Sequence, residues 1–377
     1  MSDNTKIEWT DATWNIVTGC SVVSPGCTNC YAMRLAGTRL KHHESRKGLT
    51  RETKAGPVWT GEVRFNQQWL TQPLAWKRPR HIFVAAHGDL FADGVTDEQL
   101  DRIFAVMALS PRHTFQVLTK RPERMRDYLR PARSHPVALE ALHITLMSHF
   151  LDHNSKVGEG CLIEGDMAHL STWPLPNIWL GVSVEDQTRA DQRIPVLLAT
   201  PAALRWISAE PLLGGLRLSG TSADKQNMWD WLQGLDARMY PDGPDFDYGP
   251  KLDWIVAGGE SGPNARPMHP DWVRSLRDQC AAAEVPFNFK QWGEWWEVAS
   301  DARDDDGNHL TCYTDSIEAT EMFDQASDCL LTADGRRFTI DDLPPETPGR
   351  HMTRIGKKAA GRLLDGVLHD AFPELRP

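Results

Sequence analysis

Through the middle of the chain, short apolar, β-branched runs that stop at polar or glycine residues alternate with stretches whose apolar residues recur at helical spacing. The clearest run is residues 81–86 (HIFVAA), which stops at His87-Gly88-Asp89. Residues 96–109 follow with Leu100, Ile103, Phe104 and Met107 on one helical face, and Thr96 and Gln99 hold the positions of a capping box. Residues 114–119 (TFQVLT) read as a strand, and Lys120-Arg121-Pro122 opens a helix that runs to Tyr128. Further strands are expected at 178–184, 204–209, 254–257 and 287–289, with helices starting near Asp186 and Pro270. The Pro270 helix carries Trp272, Val273, Leu276 and Cys280 on one face. Residues 14–17 and 63–65 bring the candidate strands to eight.

Strands that alternate with helices imply a parallel sheet, because each parallel connection needs a crossover. The expected class is therefore α/β, a TIM-like (β/α) barrel over residues 1–297, closed with eight units or partly open with six. Segments 32–60, 145–176 and 217–250 break the rhythm and read as insertions or lids at the barrel mouth. Residues 298–377 read as a C-terminal extension, with an acidic stretch at 301–307 and a basic helix near 356–369. In such barrels chemistry sits at the C-terminal ends of the strands. Asp89, Lys120, Glu185, Glu210, Glu260 and Lys290 fall there, and the loop after the first strand reaches the same end.

Composition narrows the function classes. Hydrophobic residues make up 41% and charged residues 24%, the balance of a globular domain. The polar, acidic N-terminus lacks a signal peptide's basic start, and no apolar run suffices to span a membrane, so the expected location is the cytoplasm. The net charge of −10 argues against a broadly basic surface for duplex nucleic acid, though not against a local patch. Of the fifteen tryptophans most are expected in the core, with Trp292, Trp295 and Trp296 dense enough to raise a stacking surface as an alternative.

Seven cysteines in a chain expected in a reducing compartment do not suggest a disulfide framework. Three of them, Cys20-x6-Cys27-x2-Cys30, crowd into eleven residues, whereas Cys161, Cys280, Cys312 and Cys329 are scattered. Three thiolates on one loop indicate a metal site. Tetrahedral zinc wants four ligands, and only His42 and His43 lie near. A [4Fe–4S] cluster held by three cysteines keeps one iron open, which the amino and carboxylate groups of S-adenosylmethionine can fill. Zinc, and a grouping of inert buried cysteines, remain the alternatives.

A strand, a three-cysteine loop and a β/α barrel together resemble the radical S-adenosylmethionine enzymes, although the first gap of six residues departs from their usual C-x3-C-x2-C. The phrases TGCSVVSPGCTNCYA, GDLF, LTKRPERM, WLGVSVED, ISAEPLL, AGGESGPNARPM and FKQWG, with GKKAAGRLLDG near the C-terminus, resemble a phage- and prophage-associated family known for a three-cysteine motif. That family is similar in turn to the spore photoproduct lyase group of radical enzymes. There a strand ends in Asp, a later one in Thr-Lys and another in Glu-Pro, and Asp89, Thr119-Lys120 and Glu210-Pro211 match in order. The resemblance implies cofactor contacts at Asp89, Lys120 and Glu210. It also implies a lyase- or transferase-type reaction on a nucleobase in nucleic acid or a nucleotide, and an external electron donor.

Other polar positions carry paired readings. Gly258-Gly259-Glu260 looks like the Gly-Gly-Glu motif of radical enzymes but follows a late strand; the alternative is a turn where backbone comes close, with Glu260 a candidate cofactor or substrate contact. Lys120, also a candidate catalytic group, and Arg121 are candidates for an anion, and cations at a helix start favour one nearby. Glu210 is a candidate catalytic group or the partner of Arg205 or another barrel charge. Ser183 and Glu185 share a face by strand alternation, with Ser183 a candidate cofactor contact. Lys290 and Gln291 could reach substrate, Tyr31 is expected to pack over the metal centre, and Asn264 and Arg266 to line the same opening. Arg350, Arg354, Lys357, Lys358 and Arg362 fit nucleic-acid phosphates or the exposed face of an amphipathic helix. Rival readings are a zinc-stabilised protein that binds nucleic acid or a partner protein without catalysis, and a hydrolytic barrel with a divalent metal on Asp89, Glu210 and Glu260.

Overall fold

A computed structural model describes residues 5, 7–151, 173–222, 226–240, 243–298, 328–339, 341–344 and 347–374. His153, Cys161, Cys312 and the acidic stretch at 301–307 lie outside them.

Seven strands form one sheet in chain order: β1 (Ala12–Trp14), β2 (His81–Val84), β3 (Thr114–Thr119), β4 (Ile178–Ser183), β5 (Leu204–Ala209), β6 (Trp254–Gly258) and β7 (Phe287–Gln291). Parallel registers run Ala12↔Ile82, Val84↔Val117, Phe115↔Ile178 and Ile255↔Phe287. The order begins at β1 and ends at β7, so the architecture is an open parallel α/β sheet, consistent with a partial rather than a closed barrel. The eighth expected strand is a correction. Arg64–Phe65 pairs antiparallel with Val17–Thr18 in a separate two-stranded ribbon. Only two 3-10 turns, Gln67–Trp69 and Gln72–Ala75, separate it from β2, too little chain for a parallel crossover. Asn66 Nδ2 pins the ribbon by donating to Asn15 O and Ile16 O, and this splits the strand expected at 14–17.

By contacts the chain divides into two units, Met1–Ser183 with Gln192–Ile207, and Val184–Asp191 with Ser208–Pro377. In the first, α1 (Tyr31–Gly37) follows the cysteine loop, and α2 (Asp97–Ala108) starts at a complete capping box on Thr96 and Gln99. The buried stripe of α2 includes Leu100, Ile103, Phe104 and Met107, each contributing roughly 1.5–3 kcal/mol on burial. Then come α3 (Pro122–Tyr128) and α4 (Ser134–Leu151). Trp9 lies edge-on to Phe83 and Trp206, and its carbonyl accepts from Gln116 Nε2.

The helix α5 (Gln187–Leu198) follows β4, and α6 (Pro270–Ala282) buries Trp272, Val273, Leu276 and Cys280 as the spacing predicts. In the second unit the segment expected as an insertion at 217–250 is an antiparallel meander of Ser219–Thr221, Asn227–Asp230, Leu235–Tyr240 and Gly243–Tyr248. A second antiparallel sheet pairs Trp295–Glu297 with Arg350–Arg354, and that strand with Cys329–Leu331. The basic helix expected to reach 369 stops after Lys357–Ala360. Gly361 has φ +67°, and Asp365-Gly366, both at positive φ, turns a hairpin that pairs Leu364 with Val367. Arg350, Arg354 and Arg362 are spent on Asp271, Gly262 O and Asp370, so these residues are not one face of a helix. Trp292 and Trp295 are buried, their indole N–H groups donating to Leu363 O and Ala265 O, so these two are packing, whereas Trp296 is exposed. Among the described residues no helix is long and apolar enough to cross a membrane.

The N-cap of α6 predicts a pH dependence. His269 Nδ1 accepts from Asp271 N, so that nitrogen must be unprotonated, and burial holds the imidazole down at about 4. In the unfolded chain it protonates near 6.5. The unfolded state therefore binds the extra proton, and stability falls as pH drops from 6.5 towards 4. His113, buried with Nε2 shared between Pro73 O and Trp76 O, is shifted the same way. Between pH 7 and pH 5 the His269 contribution is on the order of 2 kcal/mol. Urea titrations at both pH values should show this loss in the wild type and a smaller one in His269→Gln; equal losses would refute it.

Candidate metal centre

The cysteine loop leaves β1 through the Val17–Thr18 ribbon strand and turns at Gly19. Gly19 is at φ +94°, and a Cβ there would lie 2.3 Å from Glu62 O. Gly19 N donates to His87 O, so this chain runs beside the segment following β2. Pro25–Cys27 form a 3-10 turn, Cys27 N donates to Ser24 O, and Cys30 is the N-cap residue of α1. Cys20, Cys27 and Cys30 are free thiols, and Cys27 acts electrostatically on both of the others. Cys20 and Cys30 pack against Ala32, Met33, Ala36, Leu49 and Trp59. Burial pushes the Cys20 thiol up to about 12, with the Asp89 charge adding to the rise, and burial also raises Cys30.

Asp89 organises the polar side of this loop. Its Oδ1 accepts from Phe91 N (2.9 Å) and Thr119 Oγ1 (2.7 Å). Its Oδ2 accepts from Lys120 N (3.1 Å) and Arg121 Nη1 (2.8 Å). The anion expected beside the cations at the start of α3 is thus the protein's own carboxylate. Arg121 is drawn inward by it. Nη1 also donates to Cys20 Sγ at 3.6 Å, and Nη2 to Ser21 Oγ at 2.5 Å. Lys120 is half-buried, and its charge acts on Cys30.

A second chain of contacts ends at Tyr31. Arg46 Nη2 donates to His87 Nδ1 at 2.6 Å, and His87 Nε2 lies 3.2 Å from Tyr31 Oη. Arginine only donates, so Nδ1 accepts and Nε2 carries the proton. Burial, then the Arg46 charge, holds His87 down at about 4, so the ring is neutral. Its Nε2–H therefore donates to the Tyr31 oxygen, which leaves the phenol proton to point elsewhere. Tyr31 is exposed rather than packed away as its position beside Cys30 suggests. His87, Arg46 and Ser21 escaped the sequence reading. His87 follows a strand end and was the one visible signal; Arg46 lies in an irregular basic segment with none.

Within the second unit the remaining candidates are held by cations. Glu210 accepts from Lys290 Nζ at 2.7 and 2.9 Å and from Gln291 Nε2 at 3.4 Å. The bulge opposite Ala257 and Gly258 puts an extra residue into β7, which lets both successive side chains reach Glu210. The expected ion-pair reading of Glu210 thus has Lys290 as partner, while Arg205 donates to Thr200 O. Glu260 takes a forked contact from Arg266, with Nη2 at 2.6 Å and Nε at 2.9 Å, and also accepts from Arg266 N. In the first unit Ser183 is buried and its carbonyl accepts from Arg193, and in the second Glu185 is buried.

Three free thiols with a buried cation donating to one of them form a donor set that suits an iron–sulfur cluster. No group of three His, Cys, Asp or Glu side chains among the described residues is gathered tightly enough to hold a single metal ion. A cubane asks for a wider spacing, since each sulfur binds a different iron. A family model described as a protein of unknown function (DUF5131) matches residues 4–373, so the chain belongs to that family. No curated protein and no solved structure matches it.

Proposed function

We propose that this member of the DUF5131 family holds a [4Fe–4S] cluster on Cys20, Cys27 and Cys30 and acts as a radical S-adenosylmethionine enzyme. The observation that carries the reading is the union of three free cysteines with a buried arginine that donates to Cys20 Sγ. With one iron open to the amino and carboxylate groups of S-adenosylmethionine, such a cluster supplies reductive cleavage of the sulfonium. The chain's own residues have distinct tasks. Asp89, its oxygens taken by four protein donors, positions Thr119, the Lys120 amide and Arg121 rather than touching a ligand itself. Arg121 is likewise consumed internally, so Lys120 is the cation left to meet an anionic group such as the cofactor carboxylate. The exposed Tyr31 hydroxyl, oriented by His87 and Arg46, offers a donor beside Cys30. A nucleobase, in nucleic acid or as a nucleotide, is the substrate class that the resemblance to the lyase group suggests, and a one-electron donor must come from outside.

Anaerobic purification with iron, sulfide and zinc analysis tests the reading, followed by electron paramagnetic resonance of the dithionite-reduced protein with and without S-adenosylmethionine. About four irons per chain and a signal altered by the cofactor are expected. Zinc alone after anaerobic reconstitution, or a cluster signal indifferent to the cofactor, overturns it. The zinc result would favour a binding protein without catalysis.

A further inference from the structure

We infer that the buried Asp89–Arg121 pair sets the reduction potential of the centre on Cys20, its two charges acting in opposite directions. The inference rests on the cluster reading above. The geometry is specific. Arg121 Nη1 stands 2.8 Å from Asp89 Oδ2 and 3.6 Å from Cys20 Sγ, and the two charged side chains are only 9% and 7% exposed. Neither can swing away. Asp89 is fastened by Phe91 N, Thr119 Oγ1 and Lys120 N, and the far side of the guanidinium is fastened to Ser21 Oγ.

One-electron reduction of a cluster adds a negative charge to its iron and sulfur atoms, and the electron comes from an external reductant. A fixed positive charge and an N–H donor at a ligating sulfur make that addition easier. A fixed carboxylate nearby makes it harder, and both effects are strong where water is excluded. With the pair intact, the two largely offset each other at Cys20. Removing either member uncovers the other. A pair that merely braces the loop has no such property, because loss of either half would loosen the same contacts and move the potential the same way.

The test compares wild type, Arg121→Gln, Asp89→Asn and the double variant, each reconstituted anaerobically, assayed for iron and titrated with dithionite under electron paramagnetic resonance. Arg121→Gln is expected to shift the potential to more negative values, Asp89→Asn to more positive values, and the double variant to fall between. Shifts of the same sign, or unchanged potentials at full iron content, overturn the inference while leaving the cluster intact. Should Arg121→Gln fail to retain iron, Arg121→Lys keeps the charge without the fork and should give a smaller negative shift. Asp89→Asn decides independently, since a negative or absent shift contradicts the proposal. A wild type without iron sinks the cluster reading itself before any potential is measured.

Discussion

Changing any one of Cys20, Cys27 or Cys30 to alanine is expected to abolish stoichiometric iron binding after anaerobic reconstitution, whereas Cys280→Ala and Cys329→Ala retain it. The contrast follows from surroundings rather than from residue type. Cys20 and Cys30 are half-buried on a loop beside Arg121 and Lys120, whose charges favour thiolate sulfur. Cys280 lies on the buried stripe of α6, and Cys329 is fully buried in a strand. Burial raises their thiols to about 12 and about 11, just as it raises Cys20 to about 12, so the difference lies in grouping: three cysteines share one loop within eleven residues, whereas Cys280 and Cys329 sit on separate elements. A cubane that loses one of three protein ligands has two open irons and is readily lost. Iron and sulfide analysis of the five variants, with circular dichroism to check folding, reads the outcome. Full iron content in Cys27→Ala would remove that residue from the ligand set. Loss of iron in Cys280→Ala would mean that the loop is not the site.

Gly259→Ala is expected to destabilise the protein by about 3 kcal/mol or more, among the larger effects of a single methyl group. A Cβ at Gly259 would lie 1.8 Å from Trp292 O and 2.7 Å from Trp292 C. Both are backbone atoms, so no rotamer can relieve the clash. Gly293, at φ +88°, meets Glu260 O in the same way at 2.1 Å. The segments leaving β6 and β7 therefore run in backbone contact, tied by Gly259 N to Gln291 O and Glu294 N to Glu260 O. An added methyl must part them and break these bonds. Gly249→Ala, with open space around its Cβ, should stay within about 0.5 kcal/mol of wild type. Denaturant titrations of both variants provide the check, and equal stability would show that these strand ends are not tightly apposed. The result bears on chemistry, because the Gly-Gly-Glu phrase is here the device that lets two strand ends touch. Glu260 meanwhile is engaged by Arg266.

Much of the framework was open to reading from the chain alone. Strands 114–119 and 204–209 and the stripe of α6 appear where the periodicity predicts, because burial on one face leaves a local two- or 3.6-residue signature. The capping box of α2 was legible for the same reason, its two residues being three apart. The terminal hairpin is less legible: Asp365-Gly366 is a two-residue turn signal, but the lysines and arginines before it also fit one face of a helix.

By itself the sequence determined the β/α rhythm, the polar character of the strand ends and the crowding of three cysteines, since each is written in neighbouring residues. The tertiary structure alone decided that the sheet stays open at seven strands, because pairing of 64–65 with 17–18 depends on which partner lies within reach of a short connection. It alone decided that Arg121, one hundred and one residues beyond Cys20, donates to that sulfur while bound to Asp89. Contacts of that separation leave no local pattern. They come from parallel register, which brings the ends of β2 and β3 side by side and so places a carboxylate and a guanidinium against one loop.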